Sequence, residues 1–197
     1  MIASAVVAAT MAVVVQDQSA LRAAPRDSAA QQAVLWQGDL LEVRGERIDH
    51  LQVWDHRRER AGFVKASQVR MLTLQETDAP QLLSVLRFLR DTPGAEALGI
   101  AYVAAYLKAV PAARIDAEPF DALGTMADRL ARRASSKKAG ETVSAHLEVA
   151  AQYGVKFRSV EREASLQLCY DGEAFRRVLS MPASPQAQAR AVLALTR

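Results

Sequence analysis

The hydrophobic pattern of this chain changes period once, near Thr73, and that change limits what can fold on either side of it. Before it, strand-length runs mix apolar and polar residues: AVVVQ at 12–16, QAVLW at 32–36, LLEVRG at 40–45, HLQVWD at 50–55 and AGFVK at 61–65. A period of two puts alternate side chains on one face of a sheet, and Val, Leu and aromatic residues suit a half-buried pleated surface. Turn residues separate the runs. Gln37-Gly38-Asp39 predicts a tight connection, because glycine takes positive φ freely. HRRER at 56–60 is polar enough for a hairpin tip, and residues 66–69 predict one 3-10 turn. Five short strands in this span predict a small barrel.

After Thr73 the apolar residues recur at helical spacing. DAPQLLSVLRFLRD opens with Asp78 as N-cap and Pro80 in the first turn, and Leu82, Val85, Leu86 and Leu89 share a face. A second helix lies between Pro93 and Pro111, uncharged from Ala97 to Leu107 as a buried helix would be. A third is predicted over 117–134 and a fourth over 140–157. SLQLCYDGEAFRRVLSMP predicts two short helices broken at Asp171-Gly172. Ser184, followed by Pro185, opens the last helix. The short loops predict antiparallel neighbours.

Composition narrows the function classes. Half of the 197 residues are hydrophobic, enough for one large domain or two small ones. The net charge is +3, but Arg and Lys alternate with Asp and Glu along the chain, which argues against a nucleic-acid face. Cys169 is the only cysteine, so an intrachain disulfide and a cysteine-based zinc site are excluded. Its neighbours predict a buried thiol acting as a small hydrophobe. Residues 1–15 carry no charged side chain and are too short for a bilayer span of roughly 20 residues. They match the apolar region of a secretory signal, with Thr10-Met11-Ala12 as its cleavage site, or else an N-terminal strand or helix.

Groups that could converge on chemistry are few. His50 and His56 flank one strand, and His146 and Glu148 sit two apart on a helix, where they point to different faces. There is no His-Glu-x-x-His zinc motif, no Gly-x-Ser-x-Gly elbow and no phosphate-cradling glycine loop. No catalytic, cofactor-binding or metal residue is therefore assigned. Arg57-Arg58 with Arg60, and Arg132-Arg133 with Lys137-Lys138, are basic clusters that form either solvated loops or anion contacts. Trp36 and Trp54 either line a groove or plug the barrel core. The candidate ligand-binding residues are Trp36, Trp54, Phe63, Arg57 and Arg58. Tyr102 and Tyr106, one turn apart, are expected to pack among the helices.

The order of motifs in residues 12–72 resembles the bacterial SH3 (SH3b) domain. The segments that carry the resemblance are Leu21-Arg22-Ala23-Ala24-Pro25, Gly38-Asp39, Leu41 to Val43, Leu51-Gln52-Val53-Trp54 and the closing run from Gly62-Phe63-Val64 to Val69. Phe63 stands where the family usually has tryptophan, Leu51 replaces another common tryptophan, and Trp54 is shifted towards the strand end. These departures thin the aromatic contact surface that some members use. The resemblance implies an extracytoplasmic, often periplasmic, address and a non-catalytic binding role toward peptidoglycan, a peptide or a partner protein. No family resemblance is visible in the helical remainder. The expected fold class is thus α+β, a small SH3-like β-barrel followed by an all-α helical bundle. Its parts are a remnant of a secretion signal at 1–11, the barrel at 12–72 and the helical domain at 73–197. The expected function is a binding or scaffold protein without cofactor, metal or stable membrane span. The alternatives are the non-catalytic part of a longer cell-wall hydrolase and a regulatory or inhibitory module that binds protein.

Overall fold

The computed structural model describes residues 10–136, 139–162 and 165–196. The chain forms two compact units, Met1–Leu35 with Leu40–Thr73, and Trp36–Asp39 with Leu74–Arg197. The class is α+β.

In the first unit seven strands make one antiparallel sheet: β1 (Thr10–Val14), β2 (Ser19–Arg22), β3 (Gln31–Leu35), β4 (Leu40–Arg47), β5 (His50–Asp55), β6 (Arg60–Lys65) and β7 (Val69–Leu72). Their order is β3-β2-β6-β5-β4-β1-β7. A 3-10 turn at Ala66–Gln68 joins β6 to β7. Alternation places Ala12, Val14, Leu41, Leu51, Val53 and Val64 in one core with Leu21 and Leu35. Gly62 is required there, because a Cβ would lie 2.6 Å from Leu21 Cδ1. Leu21 is fully buried, and the loop after it is closed by Ala23 N–H donating to Ala30 O and Arg22 Nη1 donating to Ala29 O at 2.9 Å.

One expectation needs correction here. The barrel does not close: β3 and β7 end the sheet, no ladder joins them among the described residues, and β2 meets β6 only at Arg22↔Phe63. Closure needs a tilt and stagger that bring both edges into register, and the sheet stops short of that. The expected secretion segment lies outside the described residues up to residue 9. Thr10, Met11 and Ala12 are ladder residues of β1, paired to Val43, Glu42 and Leu41.

The second unit contains α1 (Ala79–Arg90), α2 (Glu96–Ala109), α3 (Glu118–Ala134), α4 (Glu141–Gln152), α5 (Glu173–Leu179) and α6 (Pro185–Leu195). It is not all-α. Between α4 and α5 runs a hairpin, β8 (Phe157–Arg162) and β9 (Ser165–Tyr170), and β9 stands where the first of two short helices is expected. The fourth helix stops at Gln152 because Gly154, at φ +81, takes the left-handed turn that ends it. Leu86, Ile100, Met126, Leu130 and Val143 form one core, and Phe120, Phe175, Val178, Ala187 and Ala191 a second. The Asp78 carboxylate does not cap α1 but accepts from Gln75 N–H at 3.1 Å, while the Ser184 hydroxyl caps α6 through Ala187 N–H. Residues 36–39 belong to this unit. Gly38, at φ +89, lies so near Ala97 that a Cβ would sit 2.6 Å from its carbonyl oxygen, and Tyr153 Oη donates to Gly38 O at 2.6 Å.

Candidate functional site: the outer face of β4–β5–β6

Along β5 and β6 the residues that alternate with the core positions Leu51, Val53 and Val64 are His50, Gln52 and Trp54, and Ala61, Phe63 and Lys65. Trp54 pairs with Ala61 and Gln52 with Phe63, so the two aromatic residues lie diagonally on one face. Both are half-buried. Across the other ladder Trp54 faces Glu42. Register then slips: Val43 pairs Val53 but Gly45 pairs Gln52, which leaves Arg44 as the extra residue of a bulge. Bulges re-aim side chains, and this one sets the Arg44 guanidinium carbon 4.7 Å from the centre of the Trp54 ring. His56 meets the same ring edge-on, with centroids 6.4 Å apart.

Glu42 ties these neighbours together. Its carboxylate accepts from Arg44 Nε at 3.1 Å and lies 2.6 Å from His56 Nε2. The hydrogen bond from Arg44, then that from His56, holds the Glu42 carboxyl below its ordinary value. The Trp54 ring is thus contacted by Arg44 and by His56, which Glu42 holds together.

The hairpin tip is built by Asp55. Its buried carboxylate accepts from the backbone N–H groups of Arg57 and Arg58 and from Arg58 Nη1 at 2.7 Å. Arg58 is thus folded back onto the turn, and Arg57 is exposed. At the opposite end of β5, His50 is 2% exposed, its Nδ1 2.7 Å from Asp49 Oδ1 and its Nε2 3.8 Å from Asp27 Oδ1. Lys65 Nζ donates to Asp27 at 2.6 Å and holds that carboxyl below its ordinary value.

The five predicted residues do not form one site. Trp54 and Phe63 share the face, and Arg57 and Arg58 form the β5–β6 turn. Trp36 belongs to the other unit and is buried, its backbone N–H donating to Asp39 Oδ2 at 3.0 Å. Sequence reasoning missed Glu42 and Arg44, whose alternating charges in LLEVRGER sit on the strand that faces Trp54. Of the second basic cluster, Lys137 and Lys138 lie outside the described residues, and Arg132 and Arg133 pair with Asp128 and Glu96. Cys169 is half-buried rather than enclosed. Among the described residues no helix is long and apolar enough to cross a membrane. No family model, curated protein or solved structure matches the chain.

Proposed function

We propose that the chain is an extracytoplasmic binding or scaffold protein, with residues 12–72 as an SH3b-like recognition module and the helical unit as a second partner-binding part. The observation that carries the reading is Trp54, contacted by Arg44 and His56 on a face it shares with Phe63. Aromatic faces of this kind suit sugar rings and extended peptides, which offer stacking area and hydrogen bonds together. The module assignment is supported by the motif order, by the antiparallel strand succession and by the 3-10 turn ahead of the last strand.

Co-sedimentation with purified peptidoglycan sacculi tests the reading. Retention of the intact chain is expected, with Trp54→Ala and Phe63→Ala released while their far-UV circular dichroism is unchanged. Absence of retention, or retention indifferent to both substitutions, overturns it.

A further inference from the structure

The hairpin β8–β9, α3 and the α5–α6 pair enclose a cavity of about 580 Å³ in the second unit. This is within the size range of small-molecule sites. Its wall is mixed in a particular way. Val160, Phe175 and Leu195 give an apolar lining, and Arg132, Arg158 and Arg176 line the same space. The register pairs Arg158 with Cys169 and Val160 with Gln167, so one face of the hairpin presents a cation, a thiol, an apolar side chain and an amide.

The acids that line the cavity are already engaged. Asp128 accepts from Arg132 Nη2 at 2.9 Å. Asp171 Oδ1 accepts from Glu173 N–H at 3.0 Å. Arg176 donates from Nη1 to the Asp171 carbonyl oxygen, not to a carboxylate. Among the described residues no carboxylate pairs with Arg158 or Arg176. The wall is held from behind: Leu168 N–H donates to Ser135 Oγ at 2.7 Å, which fixes β9 against α3, and Tyr170 Oη accepts from Ala174 N–H at 2.8 Å. Arg158 and Arg176 are both exposed to solvent and line a braced, half-apolar cavity, without a carboxylate partner among the described residues.

We propose that this cavity binds a small amphiphilic oxyanion, with its carboxylate or phosphate between Arg158 and Arg176 and its apolar part against Phe175 and Leu195. Guanidinium groups present paired donors matched to both head groups, and a small apolar body fits the lining. This proposal is independent of the recognition face on the first unit.

Cys169 supplies the readout, since it lines the cavity and is the only cysteine in the sequence. The rate of its alkylation by a maleimide would be followed in the intact chain with decanoate, decyl phosphate or decanol present. Both anions are expected to slow the reaction and decanol not, and the stronger of the two identifies the head group. Arg158→Gln and Arg176→Gln should each weaken protection by about fivefold or more, the loss of one charge-assisted hydrogen bond. Arg158→Lys, which keeps the charge, should recover part of it and serves as the check that the hairpin remains folded. Equal protection by decanol, no protection by any of the three, or indifference to both Gln substitutions overturns the proposal.

Discussion

Arg129 on α3 donates from Nε to Glu96 Oε1 at 2.6 Å, and Glu96, in the first turn of α2, has no exposure to solvent. The same guanidinium reaches the carbonyl oxygens of Arg90 and Thr92, Arg133 binds the second carboxylate oxygen, and Gly94 N–H donates to the first. One buried carboxylate thus gathers the end of α1, the loop that follows it, α2 and α3. Glu96→Gln removes the charge but keeps the shape, leaving two guanidinium groups without their counter-charge. A loss of about 2 kcal/mol in urea unfolding at neutral pH is expected, below the full cost for a wholly buried pair because both arginines reach solvent. Wild-type stability in the variant would remove this account.

The same residue sets an acid limit. Desolvation pushes the Glu96 carboxyl up, but the Gly94 N–H, Arg129 and Arg133 outweigh it and hold the carboxyl below 4.5. A depressed folded value means the stabilisation is complete above the unfolded value and is lost as pH falls through the folded one. Between about pH 5 and pH 3 the wild type should therefore lose stability more steeply than Glu96→Gln. Parallel pH profiles for the two would show that Glu96 titrates as it does in the unfolded chain.

Gly124 makes a different demand on α3. A Cβ there would lie 2.6 Å from Phe175 Cε1, and Phe175 is 3% exposed with Tyr170 packed at 6.1 Å on its edge. The ring has nowhere to swing. Gly124→Ala should cost about 2 kcal/mol by overpacking, in spite of alanine's better helix propensity. Thermal unfolding followed at 222 nm measures it, and a raised midpoint would mean that α5 yields freely.

Ile48 runs the opposite way. It sits in the β4–β5 turn at φ +57, a β-branched residue in the left-handed region, with its side chain 94% exposed. No burial offsets that strain. Ile48→Asn should stabilise the protein by about 1 kcal/mol. A lowered denaturation midpoint would show that the isoleucine has a contact elsewhere that matters.

Strands with clear apolar alternation and flanking turn residues were legible in the sequence, and so were the long helices. The four-residue β2 and β7 were too short to announce themselves, and their pairing depends on partners distant in the chain. The hairpin β8–β9 was misread because FRRVL beside it favours helix, although Leu166, Leu168 and Tyr170 alternate as a strand does. Trp54 could be named from sequence, but not that a bulge places Arg44 over it, since register belongs to the pair of strands. Arg158 and Arg176 could not be joined at all without the fold.

An open sheet also has a social cost. Its two end strands expose backbone donors and acceptors that could recruit a strand from another copy of the chain. On β7 the solvent-facing residues are Arg70 and Met71, and on β3 they are Gln31 and Gln32. Arg70 puts a charge on the β7 rim, and Arg60 Nη1, donating to Gln32 O at 2.7 Å, puts one on β3. Each end strand thus carries a like charge that opposes strand pairing between copies when the protein is concentrated.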